Sequence, residues 1–142
     1  MEVSAVRREL QSRVADARRA AKSRREAIAE ANAAYKPFLE TIAIPVVRQL
    51  ASALKAEGYP WSVSTPSGAV RLTADMARED VIEIGLDTTG EAPRVVGRIS
   101  RGRGSRLVRE ERVLAGGASP VAITDQQVLA FLLDALTPWL ER

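Results

Sequence analysis

Between Met1 and Tyr35 the chain contains neither glycine nor proline, and no other property of the sequence restricts its fold so strongly. Alanine, arginine and glutamate dominate this stretch, and all three favour the α-helix. Apolar side chains recur along it at steps of three and four residues, the spacing of one helix face. These positions are Val3, Val6, Leu10, Val14, Ala17, Ala21, Ile28, Ala31 and Tyr35. The stretch is therefore predicted to form one long amphipathic helix.

The apolar stripe of this helix is narrow, because much of it is alanine and the polar pair Arg24–Arg25 interrupts it. Its spacing is closer to an 11-residue repeat than to a strict heptad. A helix with so little apolar surface needs a partner, which is its own domain, a second copy or another protein. We therefore divide the chain into a helical arm, residues 1–36, which is a candidate coiled coil, and a single α+β domain, residues 37–142.

Proline and glycine mark the elements that follow the arm. Pro37 and Pro45 are expected to interrupt the helical backbone, and a shorter helix is predicted over about 46–57, with Pro45 in its first turn and Gly58 as its stop. Beyond Tyr59 the pattern changes to short alternating runs that are typical of strands. These runs cover about 61–65, 69–73, 81–86, 94–101 and 106–114, with an acidic link at 74–80. Their short connections favour an antiparallel meander.

A second amphipathic helix is predicted at the end of the chain. Thr124 and Gln127 have the spacing of a capping box, and Pro138 is expected to kink or end this helix. The wide apolar stripe consists of Val128, Leu129, Leu132, Leu133, Leu136, Trp139 and Leu140. The predicted fold class is α+β: an antiparallel meander of about five strands, covered on one face by helices, with an N-terminal helical arm.

The 142 residues include no cysteine and no histidine, and these absences exclude several kinds of chemistry. Disulfides, thiolate nucleophiles, histidine triads and zinc sites with Cys or His ligands all need those side chains. Asp75, Glu79 and Asp80 lie close together, but they lack the spacing of a calcium loop. We expect no enzyme activity, no catalytic residue, no metal site and no cofactor.

The net charge of +3 hides an uneven distribution of charge. Residues 7–36 and 94–112 are basic, whereas residues 38–93 are acidic. Arginine supplies nearly all of the positive charge, because only Lys22, Lys36 and Lys55 are lysines. Arginine is suited to carboxylates and phosphates, although a bacterial-like, GC-rich genome would produce the same bias. The two basic segments are therefore the candidate contact regions.

The run Arg101-Gly-Arg-Gly-Ser-Arg106 is the most unusual local motif. Glycine backbone N–H groups among arginines can hold an anion, and an exposed hairpin turn is the alternative. In the preceding strand, Arg94 and Arg98 share one face, where Glu83 of the neighbouring strand can pair with Arg98. The candidate residues for binding a partner or an anion are Arg94, Arg98, Arg101, Arg103 and Arg106, with Arg18, Arg19, Arg24 and Arg25 on the arm.

Two functions are compatible with these patterns. The first is a non-catalytic interaction or adaptor protein, which self-associates or docks on a protein partner through its N-terminal helix and Arg-rich sheet face. The alternative is a nucleic-acid-binding accessory protein that makes phosphate contacts, without aromatic stacking before Tyr35. No stretch is apolar enough to span a membrane or to act as a secretory signal, so we expect a cytoplasmic location. No small-molecule ligand is indicated.

Overall fold

The computed structural model describes residues 1–141, and most of its first 56 residues are helical. Helix α1 spans Val3–Phe38, a π-helical turn spans Leu39–Ala43, and helix α2 spans Ile44–Ala56. These three elements form one unbroken run of helical backbone. The long predicted helix is confirmed, and α2 ends just before Gly58 as expected.

Pro37 lies inside α1 and does not end it, so the expected interruption at that residue is wrong. Pro45 lies in the first turn of α2 as predicted, directly after the π-helical turn. In that turn the backbone N–H of Ile44 donates to the carbonyl of Leu39, five residues earlier. A wider turn moves the ring of Pro45 away from the carbonyl four residues before it, which is the contact that usually breaks a helix at proline.

The sheet contains five antiparallel strands in the order β1-β2-β3-β4-β5, which confirms the predicted meander. The strands are β1 Trp61–Ser64, β2 Ala69–Ala74, β3 Ala77–Asp87, β4 Arg94–Arg103 and β5 Arg106–Val113.

Strand β3 begins four residues earlier than predicted, and the acidic link at 74–80 is wrong for most of its length. One of its acidic residues, Asp80, has a partner inside the sheet. Asp80 is 3% exposed and accepts a hydrogen bond from the backbone N–H of Gly102 at 2.8 Å. A buried carboxylate with such a partner is compatible with a strand, and the number of charges in the segment does not indicate that partner.

Two 3₁₀ turns, Leu114–Gly117 and Pro120–Ala122, connect β5 to helix α3, which spans Asp125–Leu140. The predicted capping box is confirmed: the backbone N–H of Gln127 donates to Oγ1 of Thr124, and the backbone N–H of Thr124 donates to Oε1 of Gln127. Pro138 does not end α3, which continues to Leu140.

The core lies between one face of the sheet and the helices α2 and α3. Trp61 and Trp139 meet edge to face, with ring centroids 5.1 Å apart. Tyr35 and Phe38 are buried in the same core, and the hydroxyl of Tyr35 donates to the carbonyl of Gly68 at 2.7 Å. The end of α1 is therefore fastened to the sheet. The largest fully buried side chains are Leu72, Ile82, Ile84, Leu132, Leu136, Val47, Val70, Val95, Val96 and Val128.

Candidate interaction surfaces

The first 27 residues of the chain are all exposed, although nearly all of them are helical. At 1.5 Å per residue, this projecting part of α1 is about 40 Å long. Its apolar stripe is exposed with it: Val3 is 75% exposed and Leu10 is 61% exposed. Farther along the same stripe Ile28 is half-buried and Tyr35 is buried. Within residues 1–141, the stripe is covered only where the helix reaches the sheet.

The predicted arginines of the arm lie on this exposed part of α1. Arg19 forms an ion pair with Asp16, and Nζ of Lys22 lies 3.9 Å from Oε1 of Glu26. Arg18, Arg24 and Arg25 have no carboxylate within ion-pair distance among the described residues. The exposed helix therefore presents positive charge around its sides as well as an apolar stripe.

The sheet face that does not carry the helices, here called the open face, contains a row of alternating charges. Arg71, Glu83, Arg98 and Glu111 lie directly opposite one another on β2, β3, β4 and β5. The Arg71 Nη2 to Glu83 Oε1 distance is 2.7 Å. Arg98 lies between two acids, with Nη1 3.8 Å from Glu83 Oε2 and Nε 3.3 Å from Glu111 Oε2. The pairing expected between Glu83 and Arg98 is confirmed, as one step of a longer ladder.

A second group of charges lies at the end of the open face. The backbone N–H and the hydroxyl of Thr89 both donate to Oδ1 of Asp87, at 2.9 and 2.6 Å. The hydroxyl bond of Thr89 contributes most to holding the pKa of Asp87 below its ordinary value, and Arg94 and Arg98 act in the same direction. Nε of Arg94 lies 3.9 Å from Oδ2 of Asp87. Both open-face candidates, Arg94 and Arg98, thus face carboxylates of their own chain.

A shallow depression of about 550 Å³ follows this ladder across β2 to β5. Three arginines and three glutamates contribute to its lining, so their formal charges cancel. The Arg71–Glu83 pair is partly buried, since the Glu83 side chain is 16% exposed, whereas the Arg98–Glu111 pair is exposed. They give the depression little preference for an anion. The charged lining residues are Arg71, Arg98, Arg109, Glu83, Glu110 and Glu111.

The other three predicted arginines lie on the opposite side of the sheet. Arg103 is directly opposite Arg106, and Arg101 shares their face, so all three are on the helix side at the β4–β5 hairpin. A depression of about 270 Å³ lies between Arg101, Arg103, Pro138 and Glu141, at the C-terminal end of α3. Cations are favourable at a helix C-terminus. The five candidate arginines of the sheet are therefore divided between two faces.

The glycines of this motif have structural tasks. The N–H of Gly102 is occupied by Asp80, and a Cβ at position 102 would lie 2.5 Å from Cγ of Glu79. Gly104 has a φ of 64°, as the first central residue of a two-residue hairpin turn requires. The backbone N–H group of Gly102 is therefore used in a hydrogen bond within the sheet and is not presented to an anion.

Burial raises the pKa of Tyr35 to about 12, with Glu83 adding to the rise and Arg98 opposing it. The phenol therefore stays protonated at neutral pH and keeps its hydrogen bond to Gly68. This buried hydroxyl is part of the attachment between α1 and the β1–β2 turn.

Strand β5 is a feature that the sequence patterns left undefined. All but one of its residues are exposed, and Arg112 is half-buried. Because Leu107 and Val108 point to opposite faces, the strand is not divided into an apolar face and a polar face. Such a mixed alternation is the signal of an edge strand, which lacks a layer of core on either face.

No protein-family model, curated protein or solved structure matches this chain. Among the described residues, no helix is both long and apolar enough to cross a membrane. Residues 1–141 also contain no cluster of three or more potential metal ligands.

Proposed function

We propose that this protein is a non-catalytic interaction or adaptor protein that self-associates, or docks on a protein partner, through its N-terminal helix. The proposal rests on one observation: a continuous helix carries an exposed apolar stripe about 40 Å beyond the body to which it is fastened. We also propose that Arg101, Arg103 and Arg106 meet an acidic surface of a partner, next to the end of α3.

The energetics of the arm support a partner helix. An isolated helix in water gains little from propensity alone, and most helical stability comes from packing of an apolar face. Full burial of a valine or leucine side chain contributes about 1.5–3 kcal/mol. Val3, Val6, Leu10 and Val14 would supply this energy against a second helix, and Ala17 and Ala21 would allow close approach.

The test measures the mass of the full chain by multi-angle light scattering over a range of concentrations. The monomer has a mass of 15.4 kDa, and we expect a higher mass for the natural sequence. Val6→Glu together with Leu10→Glu places two charges in the stripe and should lower the mass. Ser12→Glu together with Ser23→Glu adds the same charge to the opposite side of the helix and should leave the mass unchanged.

Equal masses for these two double variants and the natural sequence would contradict self-association through the arm. Docking on a different protein is then tested by affinity capture from the native host, with the same two variants. Loss of one defined partner from the stripe variant alone would support docking, whereas equal capture by both variants would contradict any role of the stripe.

The positive charge of the arm favours nucleic acid as the alternative ligand. Residues 1–27 contain more basic than acidic side chains, and all of them are exposed. Such a helix would contact phosphates with little sequence preference. The basic residues are Arg7, Arg8, Arg13, Arg18, Arg19, Lys22, Arg24 and Arg25, and the acidic residues are Glu2, Glu9, Asp16 and Glu26.

The dependence of binding on salt concentration distinguishes the two functions. Phosphate binding weakens steeply as salt rises, whereas pairing of two positively charged arms strengthens because salt screens their repulsion. Fluorescence anisotropy with labelled single- and double-stranded oligonucleotides, at about 50 and about 200 mM salt, measures the first effect. Arg24→Gln with Arg25→Gln should weaken that binding more than Arg48→Gln with Lys55→Gln on α2. No binding at the lower salt would contradict the alternative.

A further inference from the structure

Strand β5 ends the sheet, and its outer edge faces solvent. The edge also carries exposed apolar side chains: Leu107 is 44% exposed and Val113 is 37% exposed. An exposed strand edge is a template for another strand, because its backbone N–H and C=O groups have no partner in the sheet.

The geometry of the hairpin shows which residues direct their backbone groups outward. Arg103 and Arg106 close the two-residue turn and lie opposite each other, so they form a hydrogen-bonded pair. Hydrogen-bonded and non-hydrogen-bonded pairs then alternate along β4 and β5. The N–H of Gly102 agrees with this alternation, because it points toward β3 and donates to Asp80. The outward set is Leu107, Arg109, Glu111 and Val113, whose side chains all lie on the open face.

We propose that β5 pairs with β5 of a second copy, antiparallel, about a two-fold axis that passes through Glu110. The two open faces then become one continuous surface across ten strands. This register places Leu107 opposite Val113 of the second copy and Arg109 opposite Glu111 of the second copy. Each contact occurs twice by symmetry, so apolar side chains meet apolar ones and positive charges meet negative ones.

Neighbouring registers lack this complementarity on the open face. The two-fold axis keeps the open faces of both copies on the same side of the joined sheet. The register can therefore change only in steps that place another residue of β5 on the axis. An axis through Arg109 places the two Arg109 side chains together and Leu107 against Glu111. An axis through Glu111 places the two Glu111 side chains together and Arg109 against Val113. Opposite charges across a strand pair are favourable and like charges are unfavourable.

The existing ion pairs fit this arrangement on both faces. On the open face, the ladder through Arg71, Glu83, Arg98 and Glu111 would continue into Arg109 of the second copy, with the signs still alternating. On the helix face, the two Glu110 side chains would approach each other at the axis. Each is already compensated, because Nη2 of Arg112 lies 2.9 Å from Oε2 of Glu110.

The register is tested by single cysteines in the full chain, which has no natural cysteine. The two copies of residue 110 lie opposite each other at the axis as a non-hydrogen-bonded pair. Their Cα atoms are about 4.5 Å apart, which is within the range that a disulfide bridges. Residue 112 lies opposite residue 108 of the second copy, so the two copies of residue 112 are four residues apart, about 13 Å. Glu110→Cys should form a covalent dimer on mild oxidation, whereas Arg112→Cys, on the same face, should not. Equal cross-linking of both variants, or none in either, would overturn the proposal.

A charge exchange tests the same pairing without a cysteine. Arg109→Glu should weaken the β5-mediated dimer about tenfold, because two attractive pairs become repulsive. In an Arg98→Gln background, where residue 98 no longer carries a positive charge opposite residue 111, the double variant Arg109→Glu with Glu111→Arg restores opposite charges between the copies and should recover the affinity. Failure of this recovery would count against the register.

The proposal does not depend on the arm. Cross-linking at position 110 is therefore repeated in the Val6→Glu, Leu10→Glu chain, where it should persist. A cross-link that disappears in this background would overturn the independent β5 interface, whereas its persistence supports the interface even when the arm variant leaves the mass unchanged.

Discussion

At the scale of single residues, Gly97 has the most restrictive environment in the sheet. A Cβ at this position would lie 1.9 Å from Cζ of Phe131, so α3 packs directly on the backbone of β4. We expect Gly97→Ala to destabilise the protein by about 1–3 kcal/mol, because the ring and the helix must move. Urea unfolding followed by circular dichroism measures this change.

Gly85→Ala is the matched control for this substitution. A Cβ at position 85 would lie 3.3 Å from Nη1 of Arg98, and that long side chain can move aside. The control should therefore change stability much less, and Phe131→Leu should recover part of the loss in the Gly97→Ala chain. Equal effects of the two glycine substitutions would contradict the proposed contact between α3 and β4.

Tyr35 makes the stability of the folded protein decrease as the pH becomes alkaline. Its pKa in the folded protein is about 12, above the ordinary value of 10.0, so the folded state retains a proton that the unfolded chain releases. The contribution is fully present below about pH 10 and is lost as pH rises toward 12. The urea midpoint should fall across this interval, and Tyr35→Phe should make that fall shallower. An identical pH profile for both chains would contradict the role of this phenol.

At the scale of elements, the N-terminus of α3 depends on two reciprocal hydrogen bonds. Thr124→Ala removes the hydroxyl that accepts from Gln127, and we expect a loss of about 0.5–2 kcal/mol in unfolding free energy. Thr124→Ser keeps an equivalent oxygen and should lose less. If the two variants have the same urea midpoint, the cap does not stabilise α3 as the geometry indicates.

Elements whose determinants are local were predictable from the sequence. The capping box and the stop at Gly58 depend on residues within a few positions, and both lie where their patterns indicated. The start of β3 was not predictable, because Asp80 is accommodated by Gly102, 22 residues away. The continuity of α1 and α2 was not predictable either, because no sequence pattern near Pro45 indicates the π-helical turn that accommodates it.

The candidate surfaces were predictable in composition but not in arrangement. Strand alternation correctly placed Arg94 and Arg98 on one face, and it also indicated their neighbour Glu83. The position of Arg101 and Arg103 beside the end of α3 depends on how that helix crosses the sheet, which the sequence does not specify. The partner of Glu111 likewise depends on register across β4 and β5.

At the scale of the whole molecule, the charged residues that sum to a net charge of +3 lie in regions with different surroundings. The positive charges of the arm remain exposed, whereas several arginines of the open face are neutralised by acids of the same sheet. The arm and the β5 edge are therefore separate surfaces with different recognition chemistry: an apolar stripe on a basic helix, and a backbone edge with alternating charge.

The two proposed self-association surfaces lead to a prediction about assembly. Each proposed surface alone would join two copies, but both together would link copies into larger closed or open-ended assemblies. Light scattering of the natural chain should show a mass that rises with concentration beyond twice 15.4 kDa. At equal concentration, the Val6→Glu, Leu10→Glu chain and the Arg109→Glu chain should each have a lower mass than the natural chain, and the combination of all three substitutions should have the lowest mass. A combined variant with the same mass as either parent variant would contradict two independent surfaces, whereas a natural chain that never exceeds a dimer would mean that the two surfaces do not act together.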